Sequence, residues 1–180
     1  MTDAELAERA AAGDPAAFGE LVERYAPVAR RLARGLLTEP ADADDAVQDG
    51  FASAWRSIAL FDPRRPFRPW LLKVVLNSAR DFQRRRRVRQ TTPLSGQEPA
   101  GGGGPDRDAG RALLRAQLRK ALAALPERQR IAVTLFDAEG YGHGEIATLL
   151  GIPEGTVRSD VFHARRALRQ SLAAFRGEAG

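Results

Sequence analysis

Residues 91–110 read TTPLSGQEPAGGGGPDRDAG, a stretch of glycine, proline and polar residues with no apolar periodicity. Gly101 to Gly104 bring no side chain that could seal a core. A polypeptide interrupted in this way cannot build one core through the segment, so it reads as a flexible linker. The chain divides accordingly into residues 1–90, the linker 91–110, and residues 111–180. At full extension about 20 residues reach roughly 70 Å. Two modules joined by such a linker are expected to act on sites far apart.

Both modules have the period of helices. In the first, Ala17, Leu21, Val22, Tyr25, Val28, Ala29 and Leu32 recur at three- and four-residue steps. After Pro40, Ala46, Val47, Gly50, Phe51, Ala54 and Trp55 form a buried side, with Asp42 or Asp44 placed to cap the helix. Asp45, Gln48, Asp49 and Ala52 fall on the other side. The proline-punctuated FDPRRPFRP then gives way to a third helix, apolar at Leu71, Leu72, Val75, Ala79 and Phe82. Strand-like alternation persists nowhere. The fold class is all-α: two small helical domains on a flexible tether.

Several functions drop out on composition. The chain has no cysteine, which removes disulfides and thiolate metal sites. No apolar run approaches a membrane span, and the acidic MTDAELAERA has no apolar stretch of a secretory signal. A cytoplasmic location is expected. Asp44 and Asp45 do not form a catalytic pair, because adjacent helical residues diverge by about 100° and no nucleophile accompanies them. His143 and His163 lack acidic companions at ligand spacing. No catalytic residue, metal or cofactor is expected.

Charge is distributed in blocks. Residues 1–62 hold 12 acids against 6 bases, whereas residues 63–90 hold 10 bases against 1 acid. An acidic block followed abruptly by a basic one points to two partners, one of them nucleic acid. On the third helix Lys73, Asn77, Arg80 and Arg84 step by three or four and share a face. Trp70 lies beside Arg64, Arg65 and Arg68. Arginines bind phosphates and an aromatic plane stacks on an unpaired base, a combination suited to opening DNA. The acidic stretch 42–49 reads either as a solvated helix start or as a docking face for a basic partner.

The second module contains LLGIPEGTVRSDV, residues 149–161. Gly151 suits the left-handed conformation that ends a helix, and Pro153 blocks continuation. The helix after the break carries Val157, Val161, Ala164 and Leu168 on one face and Ser159, Phe162, His163, Arg166 and Gln170 on the other, with Arg158 and Arg169 at its edge. Two short helices about a tight turn form a helix-turn-helix, whose second member enters the major groove N-terminus first. Thr156, Arg158 and Ser159 follow the break because that end reaches the base edges.

These segments resemble the extracytoplasmic-function sigma factors of the bacterial sigma-70 family. DADDAVQDGFASAW resembles their D-x-E-D-L-V-Q-E-x-F-x-x-x-W helix, and FRPWLLKVVLNSARDFQRRRR their P-W-L-x-x-I-A-x-N segment. The stretch from LPERQR to ARRALR resembles their domain 4. The resemblance covers about residues 14–90 and 111–172. It implies a domain 2 over residues 1–90 whose Asp42, Asp44, Asp45, Gln48 and Asp49 bind the clamp of the RNA polymerase core, and whose Trp70, Lys73, Asn77, Arg80, Arg84 and Arg85 melt and read the −10 element. It implies a domain 4 over residues 111–180 whose Thr156, Arg158, Ser159, Phe162, His163 and Arg166 read the −35 element, and which docks on the polymerase flap. The implied partners are the β and β′ subunits, promoter DNA and an anti-sigma factor, with a monomer when free and no membrane insertion.

The sequence departs from the family pattern at three places. Gly142 and Gly144 replace a helix cap and an acidic residue, and each glycine inside a helix costs up to about 1 kcal/mol. His163 stands where arginine is common. Asp160 also replaces an arginine; an acid there repels phosphate, accepts from cytosine N4, or steadies a neighbouring arginine. A plain helix-turn-helix regulator, which needs neither the acidic helix nor Trp70, and a sigma-like decoy that titrates an anti-sigma factor are the alternatives.

Overall fold

The computed structural model of the chain describes residues 1–37, 39–90 and 109–178. Helix follows helix with no strand among these residues: α1 Asp3–Ala11, α2 Pro15–Leu36, α3 Pro40–Ser57, α4 Phe67–Gln90, α5 Ala109–Ala124, α6 Glu127–Val133, α7 His143–Leu150 and α8 Glu154–Glu178. A 3₁₀ turn at Ile58–Leu60 follows α3, and a π turn at Thr134–Ala138 extends α6. Residues 91–108 of the expected linker lie outside the described residues; Ala109 and Gly110 already belong to α5.

Local chemistry sets the helix starts. A reciprocal capping box opens α1, where the Thr2 hydroxyl accepts from the Glu5 amide and the Glu5 carboxylate accepts from the Thr2 amide. The Asp14 carboxylate caps α2 by accepting from the amides of Ala16 and Ala17 at 2.9 and 3.2 Å. Hydrogen bonding from Arg9 holds that carboxyl below the usual carboxylate range. Helix α3 starts earlier than the sequence reading places it. Pro40, pre-set in φ, occupies the first turn, Glu39 is the cap position without a side-chain bond, and neither Asp42 nor Asp44 caps.

Helices α1 to α4 surround a core of Leu6, Leu21, Leu32, Leu71, Leu72 and Val75, all inaccessible or nearly so. Gly50 permits the closest approach: a Cβ there would lie 2.9 Å from the Cα of Val75, so α3 and α4 meet backbone to backbone. Trp55 departs from the expected burial. It sits at the rim, 37% exposed, with its ring 5.1 Å from that of Phe18.

Helices α5 to α8 form the second module. Leu125, Val133 and Ala164 make a small cluster of their own, flanked by Leu122, Ala167 and Leu168. Arg130 explains why an arginine follows Leu125-Pro126 at this spacing. Its guanidinium donates to the carbonyls of Leu122 and Ala123 at 3.4 and 3.0 Å, closing the C-terminal end of α5.

The modules are not separate. Ile131, Leu135, Tyr141, Ile146, Leu149, Val157 and Val161 belong to the same apolar cluster as the core of α1 to α4. Helix α7 packs on α4, and α6 packs on α2. Ion pairs rim the contact. Arg31 donates in a bidentate fork to Glu139, and Arg80 donates to Glu127 at 2.8 Å. The Arg68 guanidinium lies 3.3 Å from the centre of the Tyr141 ring, donates to the Glu139 carbonyl and approaches Glu145 at 3.9 Å. In this arrangement the two modules share one apolar cluster, with α7 seated on α4.

Candidate DNA-binding and polymerase-docking surfaces

The helix-turn-helix is built as the break predicts. Gly151 adopts φ 68° and ψ 38°, and its amide donates to the Ala147 carbonyl at 2.8 Å. A side chain at that φ is strained, which is why glycine ends α7. The glycine at the start of α7 weakens the cap less than the sequence implies. Half of a capping box survives, because the Gly142 amide donates to the Glu145 carboxylate at 2.9 Å. Gly144 is exposed, and a Cβ there would touch only the Glu154 carboxylate at 3.6 Å.

On α8, Val157, Val161 and Ala164 are buried. Ser159, Phe162, His163, Arg166 and Gln170 share the exposed side; Thr156 is half-buried at the turn. Phe162 stands out, 63% exposed, with its ring edge-on to His163. A buried position is the ordinary place for a phenylalanine, and Phe162 instead stands in solvent beside Arg158, Arg165 and Arg166. Arg158, Arg165, Arg166 and Arg169 line a cleft of about 550 Å³ whose floor includes Phe136 and His143. The Phe136 and His143 rings stack at 4.3 Å. Arg158 is not free: it donates to Glu154 one helical turn earlier at 2.6 Å. Asp137 similarly binds Arg165. Two of the four arginines of the cleft, Arg158 and Arg165, are thus paired with carboxylates.

Asp160 is placed differently from its neighbours. It is buried, 4% exposed, and receives a bidentate fork from Arg128 of α6 at 2.6 and 3.2 Å. It therefore does not face the groove, and contact with a cytosine N4 is excluded by its burial. Of the three readings, steadying an arginine is the one the geometry shows, and the arginine is on another helix. That bond holds the Arg128 guanidinium above its ordinary range.

On the first module, Asp44, Asp45, Gln48 and Asp49 are exposed on one side of α3. Asp42 is half-buried and ion-paired with Arg86 of α4. Asp44 lies 3.6 Å from Arg30, and Asp49 lies 3.7 Å from Arg85. Lys73, Asn77, Arg80 and Arg84 are all exposed along α4. Arg85 turns away from that row by about 100°, toward α3, and so borders the acidic surface. Trp70 is half-buried, 5.0 Å from the Phe61 ring and 5.4 Å from Phe67. A base can meet only the part of the indole that these rings leave open. The sequence reading missed Arg31, Glu139 and Tyr141, and set Arg68 beside Trp70 without its role between the modules; single residues carry no signal of partners 71 and 108 positions away.

An acidic helix, a basic helix with an aromatic start, and a helix-turn-helix define a class: helical proteins that hold duplex and opened DNA beside a protein partner. Sequence profiles give the particular family. Sigma-70 region 2 matches residues 21–89, and sigma-70 region 4 matches residues 115–168. The chain is 36% identical to the RNA polymerase sigma factor CnrH of Cupriavidus metallidurans, over 96% of this chain and 95% of that protein. It is 37% identical to the ECF RNA polymerase sigma factor SigM of Mycobacterium tuberculosis, over 95% of this chain and 85% of the relative. Among solved structures, CnrH in complex with the cytosolic domain of CnrY superposes with a TM-score of 0.75 at 32% identity, covering 96% of this chain and 97% of that one. The sigma factor RpoE in complex with the anti-sigma factor NepR, from Bartonella quintana, gives 0.68 at 27% identity, covering 87% and 96%. The chain belongs to the sigma-70 family, in its extracytoplasmic-function group, and is an alternative sigma factor. No helix among the described residues is long and apolar enough to cross a membrane.

Proposed function

We propose that this chain, monomeric when free and cytoplasmic, joins the RNA polymerase core through α3, reads a −35 element with α8 and a −10 element with α4, and opens the duplex without catalysing a reaction itself. The observation that carries this reading is the exposed row Ser159, Phe162, His163 and Arg166 on α8, in a chain that also presents Asp45, Gln48 and Asp49 on α3. A plain helix-turn-helix regulator has no need of the second surface. CnrH was solved in complex with the cytosolic domain of CnrY, and the Bartonella RpoE in complex with the anti-sigma factor NepR. An anti-sigma factor is the matching partner for this chain.

The packed arrangement of the modules fits a stored state. A compact chain of this length is roughly 40 Å across. Elements centred near −35 and −10 lie about 25 base pairs apart, roughly 85 Å at 3.4 Å per pair. The closed molecule does not span them, so α7 leaves α4 when the protein works. Run-off transcription with purified core polymerase on genomic DNA tests the whole reading. Defined transcripts that require this chain support it; core polymerase that ignores the chain, while the chain alone binds DNA, establishes the regulator instead.

A further inference from the structure

Asp160 is more deeply buried than any other charged residue whose burial is described, and it lies on the recognition helix. Its side chain is 5% exposed, whereas its partner Arg128 reaches in from a half-exposed position on α6. Stability is a weak reason for such a pair, because the Asp160 carboxylate gives up its water for a guanidinium that is itself half exposed. Two apolar residues of similar volume are commonly as stable as a buried ion pair, or more so. Around Asp160 the seam of α8 is made by Val157, Val161 and Ala164, which are small and smooth. Small apolar contacts of this kind leave a helix some freedom to turn about its axis. A planar guanidinium on a carboxylate does not, because both hydrogen bonds survive in one orientation only.

We infer that Arg128 is a positioning residue for promoter recognition: by clamping Asp160 it fixes the rotation of α8, and with it the directions in which Arg158, Ser159 and Phe162 enter the groove. The geometry sets the scale. Side-chain tips ride about 6 Å from a helix axis, so a turn of about 20° moves them roughly 2 Å. Hydrogen bonds to base edges tolerate a few tenths of an ångström. A slack recognition helix thus keeps its charge and its affinity for phosphate while losing discrimination across several adjacent base pairs. The inference rests on the sigma-factor reading above.

The test begins with wild-type holoenzyme, selecting its preferred −35 duplex from a randomised pool. Arg128→Lys keeps the charge and removes the fork. The paired variant Arg128→Met/Asp160→Leu removes the charges and fills the seam. Both are checked for melting temperature and for binding to a duplex of unrelated sequence. The expected result is a folded protein with unchanged non-specific binding and about tenfold weaker discrimination, spread over neighbouring positions. The exchanged pair Arg128→Asp/Asp160→Arg should recover part of it. Wild-type discrimination in both folded variants overturns the inference. So does an altered preference confined to one base pair, because a turned helix shifts Arg158, Ser159 and Phe162 together. If wild-type holoenzyme enriches no −35 sequence at all, the sigma-factor reading fails, and this inference falls with it.

Discussion

Glu139→Arg should open the molecule. Glu139 lies just after the π turn with a side chain only 8% exposed, gripped by Arg31, while its carbonyl accepts from Arg68. Reversing its charge removes the pair with Arg31, worth about 1 kcal/mol at a partly solvated site. It also sets a new cation near Arg31 and Arg68, each adding about 1 kcal/mol of repulsion at about 4 Å in a water-like dielectric. A total of about 3 kcal/mol shifts the ratio of open to closed forms on the order of 100-fold. The chain has no cysteine, so Ala52→Cys and Gln170→Cys accept a donor and an acceptor dye cleanly, one on each module. Energy transfer should fall in Glu139→Arg and return when Arg31→Glu restores the pair with its signs exchanged. Unchanged transfer in the reversed variant would refute the reasoning, and would assign closure to the apolar contact of α7 with α4 alone.

Four further outcomes follow from the same geometry. Asp45→Arg with Asp49→Arg should abolish co-purification with core polymerase and leave the circular dichroism spectrum intact; wild-type recovery of the complex would remove α3 from the docking surface. Gly144→Ala should stabilise by about 0.5–1 kcal/mol, since no left-handed backbone or tight contact reserves that position for glycine, and Gly151→Ala should cost about 1 kcal/mol because φ is 68° there; thermal melts read both signs. Arg158→Ala should relax preference at one or two adjacent −35 positions, whereas Glu154→Gln, which frees Arg158 from its partner one turn away, should tighten specific binding about twofold; a uniform loss over all single-base variants would make Arg158 a phosphate contact. Trp70→Ala should cost about 2 kcal/mol through its lost contacts with Phe61 and Phe67, and, below its melting temperature, initiate well from a pre-melted template and poorly from duplex; equal defects on both would leave Trp70 a packing residue only.

Some features are plain in the sequence because one residue decides them. Gly151 followed by Pro153 can only end a helix, and α7 stops there. Val157, Val161 and Ala164 share a face at helical spacing, and all three are buried. Thr2 and Glu5 stand at capping-box spacing, the signal that places α1, which the periodicity from Ala17 onward does not reach. Hydrophobicity alone puts Trp55 inward; its position next to the buried Ala54 turns it by about 100° to the rim. Asp160 sits three residues after Val157, on the inward stripe, so its burial is available from spacing; the charge obscures it.

The joining of the modules has a different status. Periodicity tells which face of a helix is apolar, never which helix will cover it. Leu71, Leu72, Val75 and Leu76 are all fully or almost fully buried and occupy about 140° of the circumference of α4. One neighbour cannot cover so wide an arc, and α4 packs against α1, α2, α3 and α7. The row Lys73, Asn77, Arg80 and Arg84 lies beyond the edge of that arc, and Arg80 is the member drawn into the contact, through Glu127. Width of the apolar arc, rather than any motif, is the sequence signal that α4 has more than one neighbour.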